Sequence, residues 1–265
     1  MSAWEAVRRP VVGMLHLPPL PGSPRDAGDL AKVRQQVLDD ARALADGGVH
    51  GLMMENFGDT PFHPGRVGPE TVSHMTALAQ LVRQATGLPL GINVLRNDAE
   101  AALAVAQAVG GSFIRVNVLQ SAAVTDQGLI AGRAAEVLRY RRAIGAGDVR
   151  IFADVRVKHA APLVARPLAE EVADLVHRGH ADAVIVTGGA TGRAADTGEF
   201  EAVCLAADGA AEVWVGSGVT AETVEHFAAA NGFLVGTHFK RAGRVDQPVD
   251  ERRVRAFVSR LESLA

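Results

Sequence analysis

The segment Ile151-Phe152-Ala153-Asp154-Val155-Arg156-Val157-Lys158-His159 alternates apolar and charged side chains. In a strand, Ile151, Ala153, Val155 and Val157 would share one face, and Asp154, Arg156 and Lys158 the other. A carboxylate, a guanidinium and an ammonium on one face can move protons and hold an anion. Other short runs repeat the division. Arg115 and Asn117 oppose Ile114, Val116 and Val118; Asn93 opposes Ile92 and Val94; Glu55 opposes Leu52 and Met54. Thr187 is in phase with Ala183 and Ile185, and His16 ends the first run. Isolated buried charge is costly, so such a set has to line a cavity. His16, Glu55, Asp154 and Lys158 are the expected catalytic groups. Asn93, Arg115, Asn117, Arg156 and Thr187 are the expected substrate contacts. Together they suit proton transfer on a polar metabolite. Lys158 fits a Schiff-base nucleophile if desolvated, or a cation holding a carboxylate or phosphate, and the clustered cations favour the second. His159 has the wrong parity for this face.

The elements that must position these residues alternate. Short β-branched runs at 11–15, 51–55, 90–94, 113–118, 149–158, 183–187, 212–215 and 233–235 read as strands. Amphipathic, Ala-rich stretches at 27–45, 69–85, 98–109, 130–144, 168–178, 199–207, 221–230 and 249–264 read as helices. Eight strand–helix units in one chain of 265 residues predict a single-domain (β/α)₈ TIM barrel over 1–265, in preference to a doubly wound open sheet. Turns from helix to strand are short and marked by glycine, whereas turns from strand to helix, such as 16–26, 56–68, 119–129 and 188–198, are long and polar. The long loops stand at the C-terminal ends of the strands, where the sites of such barrels sit.

Two glycine turns follow the last strands: Gly216-Ser217-Gly218-Val219-Thr220 and Gly236-Thr237-His238, with Lys240 and Arg241 beyond. Loops at these places bind phosphate through backbone N–H groups in many barrels. Ser217, Gly218, Gly236 and Thr237 are therefore expected phosphate ligands. Gly188 and Gly189, in the run Gly188-Gly189-Ala190-Thr191-Gly192, form a lid or a third side of the cradle. No zinc spacing, nucleophile-elbow serine, Walker loop or Rossmann fingerprint is present. No cofactor is expected. Glu55 and Asp154 could hold a hard divalent cation, but Arg115, Arg156 and Lys158 argue that the bound charge belongs to the substrate.

Composition bounds the rest. The net charge of −3 and pI of about 6.3 give no electrostatic case for nucleic acid. The single cysteine, Cys204, excludes an internal disulfide framework and fits a reducing, cytoplasmic setting. No apolar run approaches the ~20 residues of a membrane-spanning helix. A homo-oligomer is compatible with the sequence.

Several motifs resemble those of a known family. They are Val12-Gly13-Met14-Leu15-His16-Leu17-Pro18-Pro19, Gly51-Leu52-Met53-Met54-Glu55-Asn56-Phe57-Gly58-Asp59-Thr60-Pro61-Phe62 and Gly91-Ile92-Asn93-Val94-Leu95-Arg96-Asn97-Asp98. Phe113-Ile114-Arg115-Val116-Asn117, Asp154-Val155-Arg156-Val157-Lys158-His159-Ala160 and Thr187-Gly188-Gly189-Ala190-Thr191-Gly192 continue the series in order. The chain is similar to the BtpA/SgcQ family over nearly its full length. That resemblance implies a TIM barrel of the ribulose-phosphate-binding type and a link to photosystem I biogenesis in cyanobacteria. It also implies relatives in sugar-utilisation gene sets. It brings no catalytic assignment. Three functions follow as expectations. One is an isomerase, epimerase or lyase acting on a small phosphorylated sugar-like or nucleoside-like metabolite. The second is a non-catalytic biogenesis or stability factor for the photosystem I complex, which needs an exposed apolar surface such as the segment 254–258. The third is a ligand-binding regulator that kept the phosphate site.

Overall fold

The computed structural model describes Trp4, residues 7–188 and residues 195–264. Among these, eight parallel strands close into a barrel. They are β1 (Val11–His16), β2 (Gly51–Glu55), β3 (Leu90–Asn93), β4 (Phe113–Val116), β7 (Arg150–Asp154), β9 (Ala183–Thr187), β10 (Glu212–Gly216) and β11 (Gly232–Val235). They pair in that order, and β11 closes on β1 with Val11 beside Phe233. The remaining strands, β5 (Ala122–Thr125), β6 (Gly128–Ala131) and β8 (Ala160–Pro162), form a small antiparallel sheet in the order β6-β5-β8. The helices are α1 (Leu30–Asp46), α2 (Pro69–Thr86), α3 (Ala99–Val109), α4 (Ala134–Ala143), α5 (Leu168–Ala173), α6 (Thr197–Ala207) and α7 (Glu251–Glu262).

Sequence chemistry sets the helix limits. The Asp29 and Asp98 carboxylates accept from the N–H groups of Lys32 and Ala101, capping α1 and α3. Gly87 and Gly110, both at φ 65°, end α2 and α3 in the left-handed conformation that a Cβ disfavours. Val33, Val37, Ala41 and Leu44 form the stripe that α1 buries. In α7 the stripe is Val254, Phe257, Val258 and Leu261. The apolar residues of segment 254–258 are thus spent on the barrel.

Strand parity divides the barrel into two cores. Outward residues such as Leu52, Ile92, Ile114, Ile151 and Val184 pack under the helices. Inward residues Val12, Met14, Met53, Phe113, Phe152, Ala183, Ile185, Trp214 and Leu234 form a separate plug with Trp4. Phe113 and Phe152 stack with centroids 4.6 Å apart, and Trp4 meets Phe113 edge-on at 5.4 Å. Inward glycines leave room for these rings. A Cβ at Gly91 would lie 2.1 Å from the Phe113 ring, and one at Gly232 would lie 2.6 Å from Trp214.

Five expected elements differ. The strand expected over 149–158 ends at Asp154. Val155 donates one more bond to Ile185, and the chain then bends outward, so Arg156 and Lys158 lie on a loop. The strand expected over 113–118 likewise ends at Val116. The helix expected over 130–144 starts at Ala134, because Gly128–Ala131 is claimed by the hairpin with β5. That hairpin lies largely in a stretch read as a polar loop. Its Ala123 and Ile130 pack with Val118 and Val157 as a small core of their own. The stretch 221–230 holds a short 3₁₀ turn, Val224–Phe227, instead of an α-helix. The helix over 168–178 passes at Asp174 into wider turns, closed by Gly179 N–H donating to the Asp174 carbonyl.

Candidate active site

At the C-terminal end of the barrel, the inward positions one layer above the aromatic plug are His16, Glu55, Asn93, Arg115, Asp154 and Thr187. Parity places each of them there. Glu55, Asn93, Arg115, Asp154 and Thr187 are buried. The Arg115 guanidinium grips Asp154 with two parallel bonds, Nε–Oδ2 at 3.0 Å and Nη2–Oδ1 at 2.8 Å. Asn117, just beyond β4, donates from Nδ2 to Asp154 Oδ2 at 2.7 Å. Asp154 is thus held on both oxygens. Asn93 donates to Glu55 Oε2 at 2.6 Å and orients that carboxylate. The Thr187 hydroxyl donates to the Arg156 carbonyl at 3.3 Å. It secures the loop that carries Lys158.

Lys158 reaches the axis although its strand does not. Its side chain joins His16, Glu55 and Arg115 in one cavity with Ser217, Gly218, Gly236 and Thr237. Ser217 and Gly218 both sit at φ 73°, a consecutive left-handed pair that turns the backbone sharply after β10. The N–H groups of Gly218, Val219, Thr237 and His238 are engaged by no backbone carbonyl of the described residues. The Lys158 ammonium has no hydrogen-bond or ion-pair partner among the described residues.

Burial, followed by the charge of Arg115, pushes the Lys158 ammonium below the ordinary lysine value. Burial opposes the Arg115 charge as well, but Asp154 more than compensates and keeps it a cation. His16 is lowered well below 6.5 by burial and then by the charges of Lys240, Lys158 and Arg115. It is therefore neutral near pH 7, with Nδ1 buried and unbonded. The unfolded chain binds a proton at His16 that the folded chain refuses. Stability is therefore lost as pH falls through 6.5 towards the lowered folded value. His50 and His238 are lowered too and add to the slope. One such group contributes at most about 1.4 kcal/mol per pH unit. Urea midpoints between pH 7 and 5 should fall less steeply in His16→Gln, and an unchanged slope would show that His16 takes up its proton in the folded state.

Arg156 does not join the ring. Its guanidinium turns outward to Glu171, with both bonds at 3.0 Å. His159 is exposed at φ 57°, on the loop beyond the strand and outside the lining of the axial cavity. Gly188 is buried directly after β9, and Gly189 lies outside the described residues. Lys240 is withdrawn into an ion pair with Asp40. Among the described residues, no three His, Cys, Asp or Glu side chains group as metal ligands.

Sequence reasoning missed the residues that brace the ring. Arg96 is buried, and its Nη2 donates to the Lys158 carbonyl at 2.7 Å. Asn97 clamps the backbone of Val118 through both side-chain atoms. Asn56 and Asp59 tie the loops after β1, β2 and β3 together through Leu20 and Leu95. The signal was present in the polar triplet Arg96-Asn97-Asp98 following a strand end.

An eight-stranded parallel barrel with helices between its strands is a TIM-barrel protein, and the polar ring stands at the end where barrels of this kind carry their sites. The chain belongs to the BtpA family, whose model matches residues 7–263. It is 46% identical over 250 residues to the photosystem I biogenesis protein BtpA of Synechocystis sp., spanning 94% of this chain and 86% of that one. An uncharacterized protein of Pyrococcus furiosus is 43% identical over 266 residues, covering 100% and 99%. Among solved structures, a thiamine phosphate pyrophosphorylase from Pyrococcus furiosus superposes with a TM-score of 0.59 at 11% identity, over 97% of this chain and 96% of that one. A phosphoribosyl anthranilate isomerase from Thermus thermophilus gives 0.55 at 14% identity, over 97% and 100%. At such identities the likeness is one of fold. Among the described residues no helix is long and apolar enough to cross a membrane.

Proposed function

We propose that this protein is an isomerase, epimerase or lyase acting on a small phosphorylated sugar-like or nucleoside-like metabolite. The observation that carries the reading is one cavity joining Glu55, Lys158, His16 and Arg115 to the turns at Ser217–Gly218 and Gly236–Thr237. The phosphate group sits on the free N–H groups of those turns, where backbone dipoles hold an anion without a full cation. Glu55, fixed by Asn93, and Lys158, with its lowered proton affinity, exchange protons with the reacting carbons. Neutral His16 offers one hydrogen bond to a substrate oxygen. Asp154 touches Arg115 and Asn117 and is a positioning residue. The phosphate named in both structural neighbours supports the choice of substrate class.

Thermal shift against phosphosugars and nucleotides tests this. A phosphate ester at a hundred times its Kd adds about 2.7 kcal/mol of stability, roughly 5–10 °C of Tm in a chain of this size. Gly218→Asp, which sets a carboxylate into the cradle, should abolish the shift. The absence of a shift with every phosphate ester would overturn the reading.

The second reading is the non-catalytic biogenesis or stability factor. The Synechocystis relative's name supports it, and so do Val124 and Leu129, paired neighbours that expose 47% and 58% of their surface on the outer face of the small sheet. Loss of a pulled-down photosystem subunit in Val124→Lys/Leu129→Lys, with Lys158→Met unaffected, would favour it over the enzyme.

A further inference from the structure

The chain carries its positive charge almost entirely on arginine: of 27 basic residues, three are lysine. Their places differ. Lys32 is exposed on α1, and Lys240 is buried in the ion pair with Asp40. Lys158 stands in the axial cavity, half-buried and with no hydrogen-bond or ion-pair partner among the described residues. For holding an anion a guanidinium is the better group, since its planar fork bonds phosphate or carboxylate twice. A guanidinium does not lose its proton in a protein. A lysine at the centre of the site therefore points to what only an amine supplies, a nitrogen lone pair.

The surroundings provide what a nucleophilic amine needs. Arg96 Nη2 donates to the Lys158 carbonyl at 2.7 Å, and Thr187 holds the Arg156 carbonyl two residues earlier, so the backbone is fixed. Burial, and then the charge of Arg115, weaken the hold of Lys158 on its proton. Glu55 lines the same cavity, and Asn93 occupies its Oε2 at 2.6 Å, which leaves Oε1 to carry protons. The turns at Ser217–Gly218 and Gly236–Thr237 complete that cavity, so a phosphate seated there sets its carbon chain beside the amine.

We infer that Lys158 is a nucleophile that forms an imine with the carbonyl carbon of a phosphorylated aldehyde or ketone. This rests on the phosphate reading and narrows it: Lys158 bonds to carbon, and Glu55 alone moves the carbon-bound proton. Glu55 first takes a proton from the ammonium. The freed lone pair adds to the carbonyl carbon, and the C=O electron pair moves to oxygen, which takes that proton from Glu55. Glu55 then removes a second proton from nitrogen and passes it to the hydroxyl, which leaves as water. A protonated imine remains, with one proton and the positive charge on nitrogen. No oxidant or reductant is consumed. The cationic nitrogen draws electrons from the neighbouring carbon, so Glu55 can remove a proton there for isomerisation or epimerisation, or the bond from that carbon to the next can break in a lyase.

Cyanoborohydride reduces a protonated imine to a stable secondary amine, and with three lysines its position is easily read by peptide mass. The full chain, incubated with dihydroxyacetone phosphate or glyceraldehyde 3-phosphate and cyanoborohydride, should be labelled at Lys158 about tenfold or more faster than at Lys32, since a tenfold weaker hold on the proton gives about ten times more free amine. Lys240 should stay unlabelled. Glu55→Gln should slow labelling at Lys158 by about 10²-fold, the usual worth of a positioned acid–base group, and an equal rate would strike Glu55 from the step. Glycerol 3-phosphate has the phosphate and no carbonyl, so its thermal shift reports the phosphate site separately, and its persistence in Glu55→Gln shows that variant folded. Labelling at Lys158 no faster than at Lys32 would overturn the inference whether or not that shift is seen. With the shift present, the phosphate reading would stand without the imine.

Discussion

Lys240→Met will cost the fold about 3–5 kcal/mol, the usual penalty for stripping one partner from a buried ion pair. Lys240 is 2% exposed, and its Nζ lies 2.6 Å from Asp40 Oδ2. The other Asp40 oxygen accepts from Val249 N–H at 2.7 Å. One carboxylate on α1 therefore anchors both the turn after β11 and the segment leading into α7. Removing the ammonium leaves that carboxylate buried with a single backbone donor. Asp40→Leu should be as harmful, stranding the ammonium instead. The double variant should recover much of the loss, because no charge is left buried. The Val249 N–H stays orphaned, which costs about 1–3 kcal/mol of that recovery. Urea denaturation of the four proteins gives the coupling energy directly. A cost below about 1 kcal/mol for Lys240→Met would place the pair among exposed, weak ion pairs.

Asp154→Asn is the second large effect. Its two contacts, Arg115 and Asn117, are both donors. An amide keeps one acceptor for Arg115, which can only donate, and its new NH2 finds an acceptor only if Asn117 flips its unbonded Oδ1 inward. Arg115 is left as a buried, half-paired cation, and the fold should lose about 3 kcal/mol or more. Catalysis should fall further than stability explains, because Arg115 faces the axial cavity and its direction is set by Asp154. On the proposed substrate class, kcat should fall by about 10²-fold or more, the scale expected when a reacting group is misplaced by an ångström. KM should move little, since the phosphate turns are untouched. Equal losses in KM and kcat in Asp154→Asn protein that is still folded would instead assign Asp154 to substrate binding.

Much of this site could be read from alternation alone. His16, Glu55, Asn93, Arg115, Asp154 and Thr187 are inward because a strand has period two and their apolar neighbours had to face the helices. The same rule misled beyond Asp154. A pattern continues wherever residues happen to alternate, whereas a strand ends where its neighbour stops offering hydrogen bonds, here after Val155 meets Ile185. Lys158 still reaches the cavity, but through a loop held by Arg96 and Thr187, and no periodicity encodes that. The small sheet escaped notice for a related reason. Its strands are three or four residues long, and Thr125 pairs with Ala160 across a large separation in sequence. The Asp40–Lys240 pair spans 200 positions. Contacts of that range depend on barrel closure, which no local window contains.

The aromatic plug makes the barrel a cup. Trp4, Phe113, Phe152 and Trp214 fill the axis below the polar ring, so the axial cavity opens at one end. Whatever enters over the loops at the C-terminal ends of the strands must leave by the same doorway. Arrival and departure therefore compete for one passage, and an occupant that lingers blocks its successor. For the proposed activity, traffic through that doorway, as much as bond-making beneath it, would set the pace of turnover.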